Sequence, residues 1–183
     1  SYSYDGNKLT ARLTIGALWE WATLQNGNVD EVILNRIGFK ERLYENRPFE
    51  PLQITRLTES ILDYCENNGY PFASVRLDSF GVSEQKLSAK IFLDKNKLVT
   101  IDSLSIVGDA KIAKAYLANY LGFRFPSIYR EDVISRISSK LRELPFCAET
   151  KPPQVLFNAD HSAITLFLNK KNASRFDFIL GVL

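Results

Sequence analysis

Histidine, the side chain that most often moves protons near neutral pH, occurs once in the sequence, at position 161. A catalytic triad that uses histidine would have to include His161, and a metal site with several histidines is excluded. His161 lies in a predicted turn over residues 158–162, where a solvated loop residue is the simpler interpretation. The sequence contains neither a Gly-Lys-Ser/Thr phosphate loop nor a Gly-x-Gly-x-x-Gly motif. We therefore predict no catalytic residue, no metal site and no cofactor.

Acidic pairs and tryptophans offer the other candidate sites, and each has a simpler structural interpretation. Asp30–Glu31 and Glu131–Asp132 each come at the start of a predicted helix, where the helix dipole favours negative charge. Trp19 and Trp21 could form an aromatic platform for sugars or bases. Their spacing of two residues favours instead one face of a strand, in a core or an interface.

Cys65 and Cys147 are the two cysteines, and nothing in the sequence brings them within bridging distance. Because a cysteine thiol packs as a small hydrophobic group, we predict two thiols without a disulfide. An oxidising compartment is compatible with this prediction, but the cysteines do not indicate one.

The composition is that of an ordinary globular protein, with 183 residues, 45% of them hydrophobic and 24% charged. Disordered and collagen-like chains are therefore excluded. The net charge of +2 is too close to balance to indicate a nucleic-acid partner, which usually requires a basic surface. No apolar run approaches the roughly 20 residues that a membrane-spanning helix needs.

A repeat organises the chain. The segment 8–13 resembles 86–91 position by position, and 92–97 resembles 167–172, so the copies lie 78 and 75 residues apart. A period of this length is typical of a tandem array of small supersecondary units. We refer to the two full copies as the first and second repeats.

Each repeat is predicted to run strand, helix, helix, strand, strand. In the first repeat the patterns predict a strand over 19–24, with Trp19, Trp21 and Thr23 on one face. They then predict a helix over 30–37 capped by Asn28 or Asp30, and a helix over 52–66 that ends near Gly69. A strand over 73–79, a turn around Gly81 and a strand over 86–93 complete the repeat. Those of the second repeat predict a strand over 99–107, a helix over 111–121 ended by Gly122, a helix over 130–144 opened by Pro126–Ser127, and strands over 154–157 and 163–168.

This order of elements predicts an α+β fold of tandem β-α-α-β-β units. Each unit is a three-stranded mixed sheet covered on one face by two helices. The first and last strands are joined through helices and can lie parallel, whereas the last two strands form an antiparallel hairpin. The last strand is therefore central, and the strand before it lies at an edge.

Several motifs accompany this order. Gly69-Tyr70-Pro71-Phe72-Ala73 precedes the closing strands, Ile106–Gly108 precedes a helix, and Leu144–Phe146 precedes a short strand. Together they resemble tandem POTRA (polypeptide-transport-associated) domains of outer-membrane barrel assembly proteins of the BamA and TamA type. Arg175–Gly181 resembles the start of the first strand of such a barrel.

The resemblance implies a division of the chain into four parts. Residues 1–15 would be the closing hairpin of an upstream POTRA unit, and residues 16–96 and 97–172 would be POTRA units. Residues 173–183 would begin a β-barrel that lies outside the chain. The residues at this predicted barrel start are Phe176, Asp177, Phe178, Ile179, Leu180 and Gly181.

The resemblance also implies a function without catalysis. Proteins of this kind receive unfolded outer-membrane polypeptides at the periplasmic face of the outer membrane. The implied partners are these polypeptides and accessory assembly proteins, with membrane contact through the barrel, no nucleic acid and no cofactor. The alternatives are a POTRA module of two-partner secretion or of a division-complex scaffold. The predicted barrel start argues against the division scaffold, and a small α+β enzyme or nucleic-acid binder is the least favoured class.

A free sheet edge can bind an extended polypeptide by strand addition. In the first repeat we predict this edge over Phe72–Ser79, where exposed Ser74, Arg76 and Asp78 would keep it soluble when empty. An edge that is merely solvated, or covered by a neighbour, is the alternative. In the second repeat Pro152–Pro153 precede the corresponding strand and lack the N–H donors for pairing. The predicted client-binding residues are therefore Phe72, Ala73, Ser74, Val75, Arg76, Leu77, Asp78 and Ser79.

Overall fold

The computed structural model describes residues 2–5, 8–11, 18–158 and 161–171. Contacts divide the chain into two compact units. Unit 1 comprises the residues up to Glu59 together with Val75–Leu93, and unit 2 comprises Ser60–Ser74 together with the residues from Asp94 onward. The predicted domain boundaries, at 16–96 and 97–172, stay predictions. Near the N-terminus β1 (Tyr2–Asp5) pairs antiparallel with β2 (Lys8–Ala11), and the assignment of residues 1–15 to an upstream POTRA unit stays a prediction.

The sheet of the first repeat is built as predicted, with one additional strand. Its elements in chain order are β3 (Glu20–Asn26), α1 (Glu31–Ile37), a 3₁₀ turn at Glu41–Leu43, β4 (Arg47–Pro48), α2 (Pro51–Glu66), β5 (Ser74–Ser83) and β6 (Lys86–Asp94). The strand order is β4-β3-β6-β5, and β3 and β6 are parallel. The sheet therefore has four strands where three were predicted, because Arg47–Pro48 pairs with the start of β3.

The predicted side-chain alternation of β3 is wrong beyond Trp21. The register with β6 shifts between Trp21 and Thr23, as it does at a β-bulge, so the following residues change faces. Trp21 and Leu24 are both fully buried, whereas Thr23 is only half-buried. Trp21 is thus a core residue, and Trp19 remains 38% exposed.

The predicted turn at Gly81 is also wrong. Gly81 lies inside β5, and the chain reverses at Glu84–Gln85. Both turn residues have positive φ, 47° and 64°, as the two central residues of a type I′ hairpin turn do. β5 therefore extends further along the sheet than the sequence indicates.

Neither Asn28 nor Asp30 caps α1 through its side chain as predicted. Asp30 occupies the N-cap position, but its side chain makes no capping hydrogen bond. The Asn28 amide bonds to the end of β6: its Nδ2 donates to the Leu93 carbonyl over 2.9 Å, and the Leu93 N–H donates to its Oδ1 over 2.7 Å. Asn28 therefore connects the loop before α1 to β6 through two hydrogen bonds.

Unit 2 repeats the strand pairing in a smaller sheet. The elements that follow β6 are β7 (Thr100–Ile101), β8 (Ser103–Val107), α3 (Lys114–Leu121), β9 (Ser127–Ile128), α4 (Glu131–Ile134), α5 (Ile137–Arg142), β10 (Cys147–Phe157) and β11 (Ser162–Lys170). The sheet order is β10-β11-β8, with β8 parallel and β10 antiparallel to β11. β7 and β9 form a separate two-stranded sheet.

Three predictions for unit 2 need correction. The predicted strand over 99–107 breaks at Asp102, whose N–H donates to the Ser162 carbonyl while its carboxylate accepts the Ser162 N–H. Pro126–Ser127 do not open a helix, since Ser127 belongs to β9 and the next helix begins at Glu131. The predicted helix over 130–144 is two short helices, α4 and α5.

The core of unit 2 is formed by the helices against the inner face of the sheet. Its buried residues include Leu117 and Leu121 of α3, Ile137 of α5, and Ile164 and Leu166 of the central strand. Cys147 also lies in this core, and both cysteines are buried thiols.

Gly108, the residue after β8, lies against the backbone of β11. Its φ is +124°, and a β-carbon there would overlap the Leu168 carbonyl oxygen. We expect Gly108→Ala to lower the free energy of unfolding by about 3 kcal/mol or more, because strain and overlap add. Urea denaturation followed by circular dichroism measures the loss.

Gly122→Ala is the matched control in the same unit. Gly122 also has a positive φ, +92°, but the nearest atom to its β-carbon position is Lys140 Nζ at 4.0 Å. This variant should lose only about 1 kcal/mol, the cost of the left-handed backbone. Equal losses for the two variants would contradict the close approach of Gly108 to β11.

Candidate binding edge

β5 is the free edge of the four-stranded sheet. Within the described residues its only hydrogen-bonded neighbour strand is β6, which lies between β5 and β3. The sequence-predicted residues Ser74–Ser79 all lie in this edge strand. One side of the β5 backbone therefore presents N–H and C=O groups that pair with no other strand in the described part of the chain.

The predicted edge starts two residues too early. Phe72 and Ala73 precede β5, and their backbone groups already have local partners. The Ala73 N–H donates to the Tyr70 carbonyl over 3.2 Å, and the Phe72 carbonyl accepts Asn96 Nδ2 over 2.8 Å. The Phe72 ring packs edge-on against Phe157, with 4.9 Å between ring centroids. Phe72 and Ala73 are therefore structural residues, and the open backbone begins at Ser74.

The first half of β5 is amphipathic, as the alternation predicts. Val75 and Leu77 are half-buried, whereas Ser74, Arg76 and Asp78 are exposed. The Arg76 guanidinium lies over the Phe92 ring at 4.9 Å and forms an ion pair with Asp78. These charged side chains keep the outer face of the edge polar.

Asp78 and Ser79 interrupt the edge. Asp78 Oδ1 accepts the Ser79 N–H over 2.6 Å, so this backbone donor is already occupied. Ser79 also has a left-handed backbone, with φ 56°. The bond from the Ser79 N–H, and then the one from Arg76, hold the pKa of Asp78 below its ordinary value. The open edge therefore consists of two stretches, Ser74–Asp78 and Phe80–Ser83.

The second stretch carries residues that the sequence reasoning missed. Phe80 is 63% exposed and Val82 is 65% exposed. A turn at Gly81 ends the predicted strand before these residues, whereas the alternation of Phe80, Val82 and the serines around them indicates a continuing strand.

The corresponding edge of unit 2 is less suited to pairing. β10 contains Pro152 and Pro153 inside the strand, not before it as predicted. Its register with β11 shifts on both sides of Lys151, between Glu149 and Gln154. Prolines and bulges of this kind blunt an edge, because they remove donors and twist the backbone.

The other candidate residues do not converge on a reactive site. The Nε2 atom of His161 lies 3.4 Å from Nδ2 of the Asn158 side chain. His161 and Asp102 both line a cavity of about 100 Å³. Burial raises the pKa of the Cys147 thiol and so disfavours the reactive thiolate. Among the described residues there is no group of acidic, histidine and cysteine side chains that could hold a metal ion.

Two further observations concern the membrane. In the part of the chain that the structure describes, no helix has both the length and the apolar character needed to span a bilayer. The predicted barrel start, Phe176–Gly181, lies outside the described residues.

Comparison with known proteins identifies the fold. No family model and no curated protein sequence matches the chain. Haemophilus influenzae BamA POTRA3-5 matches in structure with a TM-score of 0.51 and 17% identity, over 78% of this chain and 54% of that one. BamA from Haemophilus ducreyi lacking POTRA domains 1-3 matches with a TM-score of 0.60 and 13% identity, over 84% of this chain and 29% of that one. The chain has the POTRA fold.

The α+β fold class and the POTRA resemblance predicted from sequence are thus confirmed. The chain spans about half the length of the first of these BamA structures and less than a third of the second, 54% and 29%.

The interaction between Asp78 and Ser79 can be tested by titration. Asp78 stays charged until the pH falls through its lowered pKa, and the bond to the Ser79 N–H is lost there. We expect the carboxyl carbon of Asp78 and the amide of Ser79 to titrate together by NMR, below the ordinary pKa of aspartate. In Arg76→Gln the midpoint should rise but stay below that value, because the bond from the Ser79 N–H, the largest single cause, remains. A return to the ordinary value would show that Arg76 alone sets the pKa.

Proposed function

We propose that the chain is the periplasmic POTRA module of an outer-membrane protein assembly or translocation factor, and that it binds unfolded polypeptides by strand addition to β5. The observation that carries the proposal is the open backbone of Ser74–Asp78 in a POTRA-fold sheet. A client strand paired there would replace the missing neighbour of β5.

Backbone pairing suits a protein that handles many sequences. The N–H and C=O groups of β5 recognise an extended conformation and carry little side-chain information. Barrel strands share an alternation of apolar and polar residues but little else, so an edge of this kind can accept many of them. The module would bind such segments without catalysis or a cofactor and pass them to a membrane β-barrel.

Among the edges of the two larger sheets, β5 is the best suited to this role. β4, at the opposite edge of the same sheet, has two residues and ends at Pro48. β10 carries Pro152 and Pro153 and is irregular on both sides of Lys151. β8 is half as long as β5, with five residues against ten. Unfolded outer-membrane polypeptides are therefore the proposed partners of β5, with accessory assembly proteins as further partners.

The test is a peptide whose backbone donors are blocked. We expect a peptide of about ten alternating apolar and polar residues to bind and to shift the amide resonances of Ser74–Ser83. N-methylation of two adjacent central residues should weaken binding at least about tenfold, because one methyl group always lies on the pairing side. The measurement is NMR titration of the whole chain.

The matched control is the same peptide with both N-methyl groups on its last two residues, outside the paired stretch. This control should bind as tightly as the unmodified peptide. Equal binding by the centrally methylated peptide would contradict strand addition. Amide shifts confined to the helices or to β10 would contradict the choice of β5.

A further inference from the structure

Phe80 and Val82 occupy defined positions opposite the central strand. A two-residue turn at Glu84–Gln85 places Phe80 opposite Ala89 and Val82 opposite Leu87. The β-carbon position of Gly81 lies 3.5 Å from the Ser88 Cβ, which agrees with this register.

Their side chains therefore lie on the face of the sheet that carries the buried residues of β6. Ala89 is buried and Leu87 is half-buried, and side chains directly opposite one another share a face. Phe80 and Val82 are nevertheless 63% and 65% exposed. The end of this face is thus apolar and uncovered, at the free edge of the sheet.

The interruption at Ser79 keeps one face of β5 apolar along its whole length. Strict alternation would put Phe80 on the face opposite to Val75 and Leu77. A left-handed residue at a bulge adds one position and restores the face. The residues on the same face as the buried residues of β6 are then Val75, Leu77, Phe80 and Val82. The other face carries Ser74, Arg76, Asp78, Gly81 and Ser83.

We propose that the β5 edge selects strands whose apolar side chains fall at every second position, with those side chains lying beside Phe80 and Val82. This inference rests on the proposed strand addition at β5. A strand added to the edge places its own alternate side chains next to those of β5 on each face. A slip of one residue would put polar side chains beside Phe80 and Val82, and apolar ones beside Arg76 and Asp78.

The direction of the backbone groups also favours an extended strand as the binding partner. The residues that flank a two-residue hairpin turn form a hydrogen-bonded pair, so the N–H and C=O groups of Val82 and Phe80 point away from β6. The same two residues therefore offer backbone partners and apolar contact to one bound strand. A helix or a compact domain would use the apolar side chains but would leave these backbone groups unpaired.

The experiment compares two peptides of identical composition. In the first, apolar and polar residues alternate strictly, and in the second the same residues are grouped in apolar and polar blocks. We expect the wild-type chain to bind the alternating peptide about tenfold more tightly. Phe80→Ser/Val82→Ser should bind both peptides with the same weak affinity. Val32→Ser, at a residue of α1 that is 68% exposed, is the matched control and should keep the preference.

The outcomes separate this inference from the proposed function. Equal binding of both peptides by the wild-type chain, or a preference that survives in Phe80→Ser/Val82→Ser, would overturn the selectivity and leave strand addition standing. Binding of neither peptide would overturn the proposed function and this inference with it. A thermal denaturation profile matching that of Val32→Ser would show that the double variant is folded.

Discussion

Parallel pairing of the first and last strands in each of the two larger sheets is the constraint on which the rest of the structure depends. β3 pairs with β6, and β8 pairs with β11. Parallel neighbours need a long crossover, and here the crossover contains the helices that cover the sheet. Once the last strand lies beside the first, the strand before it has one neighbour among the described strands of its sheet, which is the last strand. The free edge of β5 is therefore a consequence of the chain connectivity.

An open edge must remain soluble, and the two sheets achieve this differently. In β10 two prolines and an irregular register make the edge a poor template. In β5 the backbone stays regular on both sides of Ser79, and protection comes from the side chains of Arg76 and Asp78. Charge discourages self-association, and the Asp78 carboxylate occupies one backbone donor, the Ser79 N–H. β5 is thus protected in a way that remains compatible with binding.

The sequence predicted the order of elements and the strand pairing because these follow from long patterns. The repeat and the helical spacing of apolar residues extend over many positions, so single irregular residues do not obscure them. The predictions failed where one residue decides the local geometry. The shift between Trp21 and Thr23 and the left-handed Ser79 leave no periodic signal. Glu84–Gln85 form a turn without the Gly or Asn typical of it.

The candidate site was predicted in part, for the same reason. The alternation of β5 indicated an edge strand with exposed Ser74, Arg76 and Asp78, and these residues lie there. Local hydrogen bonds remove Phe72 and Ala73 from the edge, and bonds between neighbouring loops have no periodicity in sequence. Phe80 and Val82 were missed because the wrong turn ended the strand too soon.

Residue-resolved amide hydrogen exchange tests the free edge most directly. In the free protein, amides of β5 should alternate between slow exchange, where they pair with β6, and fast exchange, where they point outward. Amides of the central β6 should exchange slowly throughout. Addition of a client peptide should slow the fast set in β5. Uniformly slow exchange along β5 before any peptide is added would mean that this edge is already paired, and would contradict the account.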